Sequence, residues 1–176
     1  DSTTTVTEGS YSIELENGLY DIAYTNDGYF FKSISEQTLY ANTTLSDVTL
    51  IERTTILSVP SVFVKIQDAL NNALEGDTVL VSAGTYTENI TWPATNGIKL
   101  IGNGAEDCFI DGNQQASVIR FEEDLGGIID STTLITGFTI KNGHEQGDDG
   151  GGMYLNESSP TLTGVTFSGN TAEDKG

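Results

Sequence analysis

Two hydrophobic patterns divide the chain near residue 60. Over residues 11–24 (YSIELENGLYDIAY), Tyr11, Ile13 and Leu15 alternate with polar neighbours, and a second alternating run, residues 19–24, follows Asn17-Gly18. Alternation reads as strands with one buried face, and Asn-Gly between two such runs is a strong hairpin signal. Asn26-Asp27-Gly28 predicts a second turn, residues 29–34 a third strand, and Leu39 and residues 45–51 (LSDVTLI) further strand-like segments. Residues 1–52 are therefore expected to form a small antiparallel β-sandwich. The stretch ERTTILSVP, residues 52–60, has no clear period, and residues 53–60 are read as a linker.

Beyond residue 61 the period changes. Ile66, Ala69, Leu70, Ala73 and Leu74 fall at i, i+3, i+4, i+7 and i+8, the apolar stripe of an amphipathic helix, with Gly76 where a left-handed C-cap belongs. Apolar pairs one residue apart then recur: Val79/Val81, Ile98/Leu100, Ile119/Phe121, Phe138/Ile140 and Val165/Phe167, at steps of 19, 21, 19 and 27. A second series runs near Ile90, Ile110, Ile129 and Leu155. The clearest repetition in letters sets residues 136–140 (TGFTI) against 163–167 (TGVTF). Short strands, Gly/Asn turns and a step of about twenty residues are the signature of a solenoid, each coil stacking its inward side chains on the next. The helix is expected to cover the exposed apolar end of the first coil. The longer last step is assigned to a loop at residues 144–150 leaving the wall.

Composition narrows the partners. Hydrophobic residues make up 36% of the chain, and glycine, threonine, serine, asparagine and aspartate favour strands joined by tight turns over long helices. With 26 acidic and 7 basic residues the net charge is −19, which repels nucleic acid and anionic membranes and excludes both as partners. Such a surface suits a divalent cation, a salty medium or a neutral polysaccharide, or serves solubility alone. Cys108 is the only cysteine, so no intrachain disulfide forms, and it reads as a small buried hydrophobe. No apolar run reaches transmembrane length, so no membrane insertion is expected. The opening DSTTTVTEG reads as a mature segment, and the coil motif just before Gly176 leads to the expectation that the solenoid continues or that another chain stacks there.

The order Gly9, Tyr11, Ile13, Gly18, Tyr20, Ile22, Gly28 and Tyr29 resembles the carboxypeptidase-regulatory-like family of β-sandwich modules, over residues 3–51. One or two strands that normally come first are lacking, which leaves an open edge for strand addition from a second copy. The segment IQDALNNALEGDTVLVSAGTYTENI is similar to the entry segment of the pectin-lyase-like superfamily: Ile66, Ala69, Ala73, Gly76, Asp77, Thr78, Val79, Val81, Gly84, Tyr86 and Glu88 match it. Residues 150–172 (GGGMYLNESSPTLTGVTFSGNTA) are similar to repeats of secreted bacterial β-helix proteins. The resemblance implies an all-β chain in which residues 61–176 form a right-handed parallel β-helix with an N-terminal capping helix, preceded by the sandwich. It implies an extracellular, secreted or surface location. It leaves activity open, because lyases, glycosidases, esterases and inert adhesins share the scaffold.

No complete catalytic constellation follows, and no catalytic residue is assigned. The later motifs of pectin methylesterases are not found, so Glu88 reads as a residue satisfying turn amides. Arg120 lies in a strand with no acidic cluster that sequence alone places opposite it. An inverting hydrolase would need two carboxylates on neighbouring coils, and Asp107, Asp111 and Asp130 fall on roughly matching turns, although acidic turns are expected by chance in so acidic a chain. The loop HEQGDDG offers Glu145, Asp148 and Asp149 as calcium ligands, with a solvated turn as the competing reading, and no cofactor is required. Trp92 and Tyr154 are candidate sugar-stacking aromatics if they face outward, and core if they do not; Tyr20, Tyr24, Tyr29, Phe30 and Phe31 are read first as sandwich core. The leading expectation is a non-catalytic extracellular module for adhesion, carbohydrate contact or assembly. The alternatives are a carbohydrate-active β-helix enzyme with most of its site elsewhere, and a subunit that polymerises by strand addition or coil stacking.

Overall fold

The computed structural model describes residues 18–24, 32–39, 53–122, 129–146 and 150–173. The chain divides into two compact units, Asp1–Arg53 and Thr54–Gly176. In the first, β1 (Gly18–Tyr24) pairs antiparallel with β2 (Lys32–Leu39), with an irregularity between Tyr20 and Ile22. Gly18 is the first residue of β1, and β1 pairs with the segment beyond Asn26-Asp27-Gly28; the other arm of the hairpin expected across Asn17-Gly18 lies outside the described residues. Residues 11–15 and 45–51, and the side chains of the five candidate aromatics of this unit, lie outside the description.

Among its described residues the second unit holds one helix and strands of two to four residues, every strand pair parallel. Its first stretch runs β3 (Ile56–Val59), α1 (Ile66–Asn72), β4 (Thr78–Val81), β5 (Gly84–Thr87) and β6 (Ile90–Thr91). The next circuit adds β7 (Lys99–Gly102), β8 (Cys108–Asp111) and β9 (Ile119–Phe121). The third adds β10 (Leu134–Thr136), β11 (Thr139–Lys141), β12 (His144–Glu145) and β13 (Met153–Leu155), and the last β14 (Thr161–Thr163), β15 (Thr166–Ser168) and β16 (Thr171–Ala172). Successive strands return to the same sheets in rotation: the first sheet is ordered β14-β10-β7-β4-β3, the second β15-β11-β8-β5, the third β13-β9-β6, and the last described strand, β16, pairs with β12 in a two-stranded companion.

The interior is built from like side chains in register. Leu57, Val79, Leu100 and Ile135 face one another along the first sheet and are fully buried; Ile110 and Ile140 do the same in the second, and Ile90 and Ile119 in the third. Each buried aliphatic contributes roughly 1.5–3 kcal/mol, so the core accumulates from many modest terms. The first-sheet row ends on Leu162, which with Leu155 and Phe167 is exposed around an apolar depression of about 290 Å³.

The registers correct the expected repeat. Val79 and Leu100 are neighbours, but Ile119 lies in the third sheet and Ile140 and Phe167 in the second, so the twenty-residue series crosses from sheet to sheet. Each circuit carries three strands of similar composition, and spacing alone does not say which strand answers which. The 27-residue offset is a whole circuit, because Leu134 faces Thr161, Thr139 faces Thr166 and His144 faces Thr171.

Two boundaries also move. Residues 56–59, read as linker, are β3, the edge of the first sheet. The helix ends at Asn72, with Ala73 extended as its C-cap, and Leu74 stands 58% exposed beyond it. Gly76, at φ +84°, serves the turn into β4. Ile66, Ala69 and Leu70 carry the buried face of α1, which packs on β3, β4 and β6.

Candidate functional site

Strand alternation turns Ile90 and Ile119 inward and sets Thr91, Arg120 and Tyr154 in one row on the outer wall of the third sheet. The Arg120 guanidinium lies over the Tyr154 ring, 4.4 Å from its centroid. Its Nε donates to Glu122 Oε1 and its Nη1 to Glu145 Oε2, both at 2.9 Å. On the adjacent strand, Asn156 Nδ2 donates to the Tyr154 hydroxyl at 3.2 Å, and the Asn156 N–H donates to the Phe121 carbonyl, which keeps the strands paired past the end of β13. Arg120 and Glu122 on one strand, with Tyr154 and Asn156 on the next, make a compact polar and aromatic patch.

Glu145 holds the patch from behind. It comes from β12, and its Oε2 accepts the Ser117 N–H and hydroxyl, both at 3.1 Å, besides Arg120. Burial pushes its carboxyl up, but the Ser117 hydrogen bonds and the Arg120 charge outweigh burial and hold it below the usual glutamate range. Glu145 and Arg120 are mostly covered (side chains 14% and 19% exposed), whereas Glu122 is 40% exposed. The accessible carboxylate is therefore Glu122.

The second sheet carries a related arrangement. Lys141 Nζ lies 4.8 Å from the Phe109 ring centroid and 3.5 Å from Asp111 Oδ2. Asp111 also accepts the Asn113 N–H at 2.9 Å and the Asn142 amide at 3.0 and 3.1 Å. Burial raises its carboxyl, and these three partners together bring it below the usual aspartate range. Asp130 accepts the Thr132 N–H and hydroxyl at 2.8 and 2.6 Å, and Asp107 is reached by the Asn103 amide at 3.5 Å. Asp107 and Asp130 are thus engaged by their own turns, and Asp111 by its own turn and by Lys141 and Asn142 of the next circuit.

The structure separates the candidate residues. Tyr154 lies on the outer wall. Trp92 does not: it is 1% exposed and stacked on Phe121 at 5.0 Å between centroids, so it is core and cannot meet a sugar. Glu145 is bound to Arg120 and Ser117, and Asp148 and Asp149 lie outside the described residues. Among the described residues no group of three or more His, Cys, Asp or Glu is arranged to hold a metal ion, and no helix is long and apolar enough to cross a membrane. Glu88 accepts the Ile66 and Gln67 N–H groups at 2.9 and 3.0 Å, the amide-satisfying role expected of it, though the amides belong to α1. The acidic partners of Arg120 escaped sequence reading. Glu122 was visible two residues away, but Glu145 is 25 residues distant and reaches Arg120 only through the circuit. No protein-family model, curated protein or solved structure matches the chain.

Proposed function

We propose that residues 54–173 are coils of a right-handed parallel β-helix, and that the chain is a non-catalytic extracellular surface module that contacts carbohydrate through the outer wall of its third sheet. The rotation through parallel sheets and the stacked inward rows support the β-helix reading. The observation that carries the functional reading is the Arg120–Glu122–Tyr154–Asn156 patch, where the edge of an aromatic ring, an accessible carboxylate and an amide meet on the outer wall of the third sheet. Protein sites for sugars combine apolar contact with a few fixed hydrogen-bonding groups. Polymerisation by head-to-tail coil stacking is the weaker reading, because α1 packs over the opposite end against β3, β4 and β6.

The test is a panel of soluble polysaccharides, assayed by retardation in affinity gels and by release of reducing ends. Retardation by some polymers without release is expected. Release of reducing ends would make the chain an enzyme; no retardation by any polymer would remove carbohydrate as its ligand.

A further inference from the structure

The charge and dimensions of the same wall narrow its ligand, an inference that rests on the carbohydrate reading above. We infer that the patch takes a neutral glycan lying across the strands, with a footprint about the length of a disaccharide. The patch holds one cation, Arg120, against two carboxylates, Glu122 and Glu145, both hydrogen-bonded to it at 2.9 Å. Arg120 is therefore spoken for within its own surroundings and does not stand ready to receive a uronate or sulfate. An anionic polymer approaching a chain of net charge −19 meets repulsion first and, in the row of described residues Thr91, Arg120 and Tyr154, a cation already shared between two carboxylates.

The remaining hydrogen-bonding capacity is of the kind hydroxyl groups need. The Tyr154 hydroxyl accepts from Asn156, which leaves its own proton to donate. Glu122 Oε1 accepts from Arg120, and a carboxylate has lone pairs left for a sugar hydroxyl. Thr91, in the same row, is exposed and adds a hydroxyl that both donates and accepts. The row Thr91, Arg120 and Tyr154 spans three paired strands, roughly 10 Å at the usual strand separation. That length sets the footprint, and the row direction sets the glycan axis across the strands.

The experiment uses the full chain and titrates two neutral polymers, glucomannan and xyloglucan, and two uronate polymers, polygalacturonate and alginate. Each is measured calorimetrically with EDTA at low and at high NaCl, for the wild type and for Glu122→Gln, Tyr154→Phe and Tyr154→Ala. Thermal unfolding checks that each variant is folded, and Tyr154→Phe, which deletes one oxygen, guards against collapse of the alanine variant. A neutral polymer is expected to bind with affinity little changed by salt and weakened roughly tenfold or more by Glu122→Gln or Tyr154→Ala. Binding only to uronates, weakened by these same variants, would overturn the neutral class and leave the wall as the carbohydrate surface. Neutral binding indifferent to all three variants would overturn the site. Binding to none of the polymers would overturn both this inference and the reading beneath it.

Discussion

At Trp92 two effects oppose each other. Its indole is 1% exposed and stacked on Phe121, a contact that adds about 0.5–1.5 kcal/mol beyond area burial. Its Nε1, however, is buried without an acceptor among the described residues, which costs roughly 1–3 kcal/mol. Trp92→Phe keeps an aromatic against Phe121 and removes the unpaired donor, at the expense of a small volume deficit. The opposing terms are similar in size, so this variant is expected within about 1 kcal/mol of the wild type. Trp92→Ala loses the stack and opens a cavity, for about 3–5 kcal/mol. Urea unfolding followed by circular dichroism measures both. If the two variants were equally damaging, the indole nitrogen would have a partner and the balance drawn here would be wrong. Alternation in ITWP sets Trp92 on the face of Ile90, which the apolar repeat turns inward, and the register of β6 on β9 brings it against Phe121; reading Trp92 as a wall residue leaves that alternation unused.

α1 shows how an element too short to stand alone is held. Its seven residues are fewer than an isolated helix needs in water, so its stability must come from what it docks on. Ile66, Ala69 and Leu70 supply the apolar part. The polar part is supplied by side chains acting where backbone would otherwise serve. Glu88 accepts two N–H groups of the first helical turn, and the Gln67 amide both donates to the Thr91 carbonyl and accepts its N–H, at 2.9 and 2.8 Å. Gln67 thereby gives the edge of β6 the pair of hydrogen bonds that a further strand would have made. Glu88→Ala is expected to cost about 0.5–2 kcal/mol, in line with loss of a helix cap. Leu70→Asp, which places an unpaired charge in the core, should cost more than that and unfold the second unit as a whole. Hydrogen exchange on Glu88→Ala should show early loss of protection at Ile66 and Gln67; unchanged protection there would mean the carboxylate does not hold the helix. The helix, its apolar face and the strand character of Val79, Leu100, Ile119 and Ile140 were legible from local periodicity. Their grouping into sheets was not, because register depends on circuit lengths of unequal size, and neither was β3, whose four residues ILSV show too short a period to distinguish strand from connector.

For the whole molecule, charge is the variable that connects fold and ligand. With 26 acidic residues against 7 basic ones, carboxylates outnumber the cations that could pair with them, and folding brings the like charges closer together. Glu145 and Asp111 are among those that are paired, each tied to a cation and to hydrogen-bond donors and each titrating below its ordinary value. A carboxyl that titrates lower when folded contributes stability that is complete above its unfolded pKa, about 4.3 for glutamate, and that vanishes as pH falls through the folded value. The two classes of carboxylate therefore respond oppositely to acid. Protonating the mutually repelling groups relieves the fold, whereas protonating Glu145 releases Arg120 and Ser117. A difference measurement separates them. Glu145→Gln should be less stable than the wild type at pH 7, and the gap should close between pH 5 and lower pH, as the wild-type group itself becomes neutral. Raising NaCl at pH 7 from about 10 mM to 150 mM shortens the screening length from roughly 30 to 8 Å. That should raise the melting temperature of both proteins, because repulsion among exposed carboxylates is screened more than the partly buried Arg120–Glu145 contact. A gap between the two proteins that stayed constant down to pH 3 would show that Glu145 does not act through its charge, and the wall would then lose the anchored cation on which the proposed preference for uncharged glycans rests.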